Sequence, residues 1–165
     1  MGDSDFQIRD MRSSDFSFVI QSWMRHVRRT HSWLPSEAFF RLYERALISH
    51  LNRGPALVAC NPSYHDHVFG YAVGGPWRAS EGLLHFALIK PMYRKYGLAR
   101  ALLGRLRRDL DVATLYPTSW TADLSAIAHM LGELRPDLFG PRGPREKKNV
   151  KESQADHDEN PGPAG

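Results

Sequence analysis

The sequence predicts a single mixed α/β domain, and three observations carry that prediction. A chain of 165 residues with 42% hydrophobic and 11% aromatic content can bury one substantial core, but not two ordinary domains and a linker. Its apolar residues switch between the two-residue period of strands and the 3.6-residue period of helices. The pattern stops near Phe139, after which Pro141, Gly143 and Pro144 lead into a basic block, an acidic block and a final Pro-Gly-Pro-Ala-Gly. Residues 1–140 are therefore read as the domain and 141–165 as a disordered charged tail.

The elements follow in order. Phe6, Ile8 and Met11 suit a short half-buried strand. Ser13 or Ser14 offers a helix cap, Asp15 favours the first turn, and Phe16, Val19, Ile20, Trp23 and Val27 mark an amphipathic helix over roughly 14–29. Pro35 opens a second helix through Phe39, Tyr43, Ala46, Leu47 and Leu51, ended by Gly54-Pro55. Strands are expected over 56–60 and 68–73, separated by Asn61, Pro62 and Asp66, and a fully buried strand over 83–89. Beyond Pro91, the residues Leu98, Ala101, Leu102, Leu106 and Leu110 define a third helix with Arg100, Arg107 and Arg108 on its other faces. A strand over 113–120 and a fourth helix, capped by Asp123 and carrying Leu124, Ile127, Leu131 and Leu134, complete the order β-α-α-β-β-β-α-β-α. Trp23, Trp33, Phe39 and Phe40 are expected in the core.

Composition excludes several functions. No stretch approaches the ~18 consecutive apolar residues of a membrane span. The acidic start Met-Gly-Asp-Ser-Asp is unlike a signal peptide, and Phe6 stands where N-myristoylation wants Ser or Thr, so a soluble, cytoplasmic protein is expected. One cysteine, Cys60, rules out an internal disulfide framework or a cysteine-rich zinc site. His65 and His67 flank Asp66 but lack further ligands and read as a surface turn, so no metal is expected. The net charge of +4 lies wholly on residues 1–140, which hold fifteen arginines and two lysines, Lys90 and Lys95. Such a body favours anionic ligands, while the scatter of its arginines makes nucleic-acid binding the weakest reading.

Both lysines flank the most informative segment. A buried strand, Leu84-His85-Phe86-Ala87-Leu88-Ile89, runs into the basic turn Lys90-Pro91-Met92-Tyr93-Arg94-Lys95-Tyr96-Gly97 and directly into the helix at Leu98. Unpaired N–H groups at such a helix start, with the positive end of the helix dipole, form a site for phosphate or pyrophosphate. Gly97 allows close backbone approach, and Arg94, Lys95 and Arg100 add charge.

These residues carry a resemblance. Arg94-x-x-Gly97-x-Ala99 is similar to the Arg/Gln-x-x-Gly-x-Gly/Ala signature of the GNAT superfamily of N-acetyltransferases, and with the element order the likeness covers about residues 6–131. The resemblance implies acetyl-CoA as acyl donor, its pyrophosphate on the amides of Arg94, Lys95, Tyr96, Gly97, Leu98 and Ala99 beside Arg100, and its pantetheine arm along Ala87, Leu88 and Ile89. It also implies a backbone oxyanion donor, here about Leu88, and a primary amine acceptor attacking in a ternary complex. The cations Arg25, His26, Arg28, Arg29 and His31 border the acceptor cleft by the same likeness, which favours an acidic acceptor and lowers the pKa of a bound amine by like-charge repulsion.

Such an amine must lose a proton before it attacks, so a base is needed. His85, on the signature strand, is the candidate, with Glu81 the nearby carboxylate. The family's helical tyrosine, which protonates the departing thiolate, has no counterpart in 124–133; Tyr116, Ser125 and His129 are the substitutes. The last strands are shortened or missing, or completed by a partner chain in a homodimer. A non-catalytic CoA-binding or interaction module is the alternative reading.

Overall fold

A computed structural model describes residues 6–33, 35–118 and 127–132. Five strands, β1 (Gln7–Asp10), β2 (Ala56–Cys60), β3 (Val68–Arg78), β4 (Glu81–Ile89) and β5 (Thr114–Pro117), form one sheet in chain order. The first four are antiparallel neighbours, and β5 lies parallel to β4. A parallel neighbour demands a long crossover. Helix α3 (Leu98–Leu110) supplies it, while α1 (Phe16–Thr30) and α2 (Ser36–Arg53) fill the connection from β1 to β2. The predicted order therefore holds through the fifth strand. The tail over 141–165, and most of the predicted fourth helix with Asp123 and Leu124, lie outside the described residues; within 127–132 the chain makes one short 3-10 turn, Ala128–Met130.

The sheet separates two cores. On one face α1 and α2 bring Val19, Trp23, Phe39 and Leu47 against Val58, Tyr71, Val73 and Phe86. On the other, Leu98, Leu102, Leu103 and Leu106 of α3 cover Leu57, Ala72, Leu84 and Leu115. Burial of these aliphatic and aromatic side chains, each worth roughly 1.5–3 kcal/mol, is the main force holding helices to sheet.

Several expectations are corrected. Trp33 is 69% and Phe40 53% exposed, whereas Trp23 and Phe39 are buried as expected. Phe40 sits one 100° step around α2 from the buried stripe of Phe39, Tyr43, Leu47 and Leu51, and Trp33 lies in the turn after α1. Ser13 and Ser14 are exposed and give no side-chain cap; instead the Asp15 carboxylate accepts the N–H of Arg12 at 2.8 Å and binds Arg9. The strands predicted over 68–73 and 83–89 extend to Arg78 and back to Glu81, because the two form a hairpin closed by Ala79 and Ser80. The strand predicted over 113–120 is confined, among the described residues, to Thr114–Pro117. Finally, 83–89 is not fully buried: Ala87, Leu88 and Ile89 are half-exposed, since among the described residues β5 accompanies only the first half of β4.

Candidate functional site

The half-companioned strand is where the site begins. β4 pairs with β5 from Glu81 to Leu84, and Thr118 N–H still reaches the Leu84 carbonyl at 3.0 Å. Beyond that, among the described residues of β5 and its end, the Thr118 hydroxyl reaches β4, donating to the His85 carbonyl at 3.4 Å. His85 is the reason. It is the extra residue of a β-bulge, since Val73 pairs with Phe86 but Gly74 pairs with Leu84. A bulge bends its strand and sharpens the twist, so β4 turns away from β5 and, among the described residues, its edge past Leu84 has no partner strand.

Alternation fixes which groups face that edge. Lys90 N–H donates to the Phe69 carbonyl of β3 at 2.9 Å, so the amides of Leu88 and Phe86 point the same way. Those of Ala87 and Ile89 point into the gap. Leu88, expected as the oxyanion donor, therefore turns its N–H to β3.

The open edge leads into the phosphate-like turn. A 3-10 turn over Pro91–Tyr93 is followed by Lys95 and Gly97, both left-handed with φ of 69° and 80°. A lysine held there costs about 1–2 kcal/mol, and two left-handed residues so close together form a concave nest of amides. Among the described residues, the N–H groups from Lys95 to Arg100 find no backbone acceptor; the first that does is Ala101, to Gly97 at 3.0 Å. A side chain built at Gly97 would meet nothing within 4 Å, so the nest opens outward. Lys95 and Arg100 are exposed and make no ion pair among the described residues, and no acidic residue occurs between Glu81 and Asp109. Burial lowers the pKa of Lys90, whose Nζ lies 5.0 Å from the centre of the Phe18 ring of α1.

The predicted catalytic residues are divided. The bulge places consecutive residues, His85 and Phe86, on the α1–α2 side. His85 is 7% exposed, its ring centre 3.9 Å from that of His50 on α2. Glu81 lies four residues earlier, about 13 Å away at the rise of a strand, where its Oε1 accepts the Tyr116 hydroxyl at 3.2 Å. So Glu81 meets Tyr116, and His85 meets His50. His129 is exposed on the 128–130 turn, and Ser125 lies outside the described residues.

The cationic cluster also divides. Arg28 stacks on Phe39 at 5.3 Å and donates to the His31 carbonyl and Ser36 Oγ, tying the α1–α2 connection together. His26 turns inward onto Phe86, while Arg25 and Arg29 stay exposed. A groove of about 400 Å³ between α1 and α2 involves no residue of β4 or the nest, so it is separate from the gap. His65 and His67 are engaged locally, with Arg9 and Arg12 on the first and the Tyr93 hydroxyl on the second at 2.8 Å. No group of three potential ligands for a metal occurs among the described residues. No helix among them is long and apolar enough to cross a membrane.

No protein-family model and no curated protein matches this sequence. Solved structures do match. A protein from Pyrococcus furiosus, provisionally described as an acetyl transferase, aligns with a TM-score of 0.56 at 14% identity over 76% of this chain and 89% of its own. An acetyltransferase of the GNAT family from Staphylococcus aureus Mu50 gives 0.54 at 14% identity, covering 75% and 79%. The chain has the GNAT fold. N-acetylglutamate synthase from Neisseria gonorrhoeae, solved with coenzyme A and N-acetyl-glutamate, matches 75% of this chain with 27% of its own, at TM-score 0.50 and 16% identity. Within this GNAT fold, the cationic turn before α3 lies where the sequence predicts it, whereas nothing in the sequence pointed to His50 as the neighbour of His85. The only signal at His50 was its place on the apolar stripe of α2, one turn after Leu47.

Proposed function

We propose that this protein transfers an acetyl group from acetyl-CoA to a primary amine by direct attack in a ternary complex. One observation carries the reading: among the described residues, a strand edge without a partner strand, crossed only by the Arg94 side chain at the Ile89 carbonyl, leads into an outward-facing nest of unpaired amides. Acetyl-CoA has the complementary shape, an arm bearing two amides that ends in a diphosphate. The arm pairs with the N–H and C=O groups of Ala87 and with the N–H of Ile89, whose carbonyl already accepts Arg94 Nε at 3.3 Å, with Leu88 between them packing by its side chain. The diphosphate takes the amides of Lys95, Tyr96, Gly97, Leu98, Ala99 and Arg100, with the guanidinium of Arg94 and the charges of Lys95 and Arg100 beside it.

This arrangement sets the thioester near the bulge. Holding amine and thioester there supplies much of the acceleration. The Ala87 N–H, aimed at the open edge, is the oxyanion donor in place of Leu88. His85 removes the ammonium proton, directly or through a water; Tyr116 is held by Glu81 about 13 Å along β4 from His85, so the departing thiolate takes its proton from water. A thiol pKa of ~8.5 makes that last step the least demanding.

Calorimetry with acetyl-CoA on the wild type and Gly97→Tyr tests the donor site. The tyrosine projects into the open nest, so affinity should fall at least tenfold, with about 1–2 kcal/mol of stability lost to the left-handed backbone. Equal affinity for both proteins refutes this placement. Thiol release across an amine panel then separates transfer from binding alone, for a non-catalytic module would bind acetyl-CoA without turnover.

A further inference from the structure

We infer that His50 is a positioning residue for His85: its ring face stabilises the imidazolium that His85 becomes when it takes the proton of the acceptor amine. This rests on the acetyl-transfer reading. The two rings are buried, 2% and 7% exposed, on different elements 35 positions apart, and their centres are 3.9 Å apart at a 33° tilt. That separation and tilt bring ring face to ring face, the geometry in which a π system stabilises a neighbouring cation. Behind His50 lies the indole of Trp23, nearly parallel at 23° and 6.0 Å, and the same indole stacks on Phe86 at 5.1 Å. His85 is thus part of a continuous aromatic stack anchored in α1 and α2.

Two further features confine the His85 ring. A methyl group on Gly75 of β3 would come within 2.9 Å of its Nε2, so the glycine provides the space the ring occupies. The bulge that re-aims its backbone also opens the β4 edge, so the stacked imidazole stands beside the expected position of the thioester. Among the described residues, these groups lie around the pair. His26 of α1 lies on Phe86, Thr118 of β5 holds the His85 carbonyl, Glu81 and Tyr116 bond to each other further along β4, and Arg53 is exposed one turn beyond His50. A buried imidazole costs desolvation that a leucine would not, and the α2 stripe around it is otherwise apolar apart from the Tyr43 hydroxyl.

The test compares His50→Leu and His50→Gln, which remove the aromatic face, with His50→Phe, which restores one. Each is assayed for kcat and KM with a reactive amine from the panel, for acetyl-CoA affinity by calorimetry and for thermal midpoint. The expected result is a fall of about tenfold in kcat for Leu and Gln, recovery to within about threefold for Phe, and unchanged acetyl-CoA affinity in all three. A merely structural role would instead follow the thermal midpoint and ignore aromaticity. Wild-type kcat in either Leu or Gln overturns the inference, as does a Phe variant no better than they are. If Leu does not fold, Gln against Phe decides the same question. Failure of the acetyl-transfer reading looks different: the wild type itself then shows no turnover.

Discussion

Arg9 and Asp15 illustrate what one buried pair does for this fold. Their carboxylate–guanidinium contact is bidentate, at 2.6 and 3.0 Å, and Arg9 also donates to the His65 carbonyl, so strand β1, the start of α1 and the loop after β2 meet at one point. Burial pushes the Asp15 carboxyl up, but the Arg9 guanidinium and the Arg12 N–H outweigh it and hold the group below its ordinary range. A carboxyl depressed on folding stabilises the protein fully above its unfolded value, and that contribution is lost as pH falls through the lower, folded one. Asp15→Ala should cost about 3 kcal/mol at neutral pH, by leaving a buried guanidinium unpaired. Denaturant titrations should show the gap to wild type narrowing below about pH 4. A gap independent of pH would contradict this account. At the same scale, Gly97 was legible as the turn glycine before α3, where it is left-handed, because glycine's conformational freedom is a local property. His50 was not, because a histidine on an apolar stripe takes its meaning from the strand opposite.

Among the elements, α2 depends on a close approach at its end. A methyl group on Gly54 would stand 2.2 Å from the Gly74 carbonyl oxygen and 2.8 Å from the Gly75 Cα. The Gly54 backbone is extended at φ −158°, so any residue could adopt it and the obstacle is purely steric. Gly54→Ala should therefore lose about 2–3 kcal/mol as α2 is forced off the sheet, with a thermal midpoint several degrees lower. An unchanged midpoint would show that the contact is not tight. The strands teach a related lesson. The apolar run 83–89 was readable as a strand, but its uniform hydrophobicity suggested burial on all sides. Its outer half instead borders a gap, because the bulge at His85 depends on pairing with Val73 and Gly74, which no local period reveals.

For the whole molecule, charge and chain organisation make the remaining prediction. The excess of +4 falls on residues 1–140, and the last 25 residues are neutral overall, so electrostatic attraction for an anionic cosubstrate belongs to the domain. A chain ending at residue 140 should keep its thermal midpoint within about 2 °C and its acetyl-CoA affinity. A loss of either would place part of the tail in the domain. By itself the sequence determined the mixed α/β class, the element order through the fifth strand and the cationic turn before α3. These follow from periodicity and from the conformational demands of proline and glycine, which act over a few residues. Only the tertiary structure decided which strand edge stays open, which amide faces it and which ring lies against His85. Those depend on register and on contacts between residues far apart in the chain, where a one-residue bulge reverses the direction of every group beyond it.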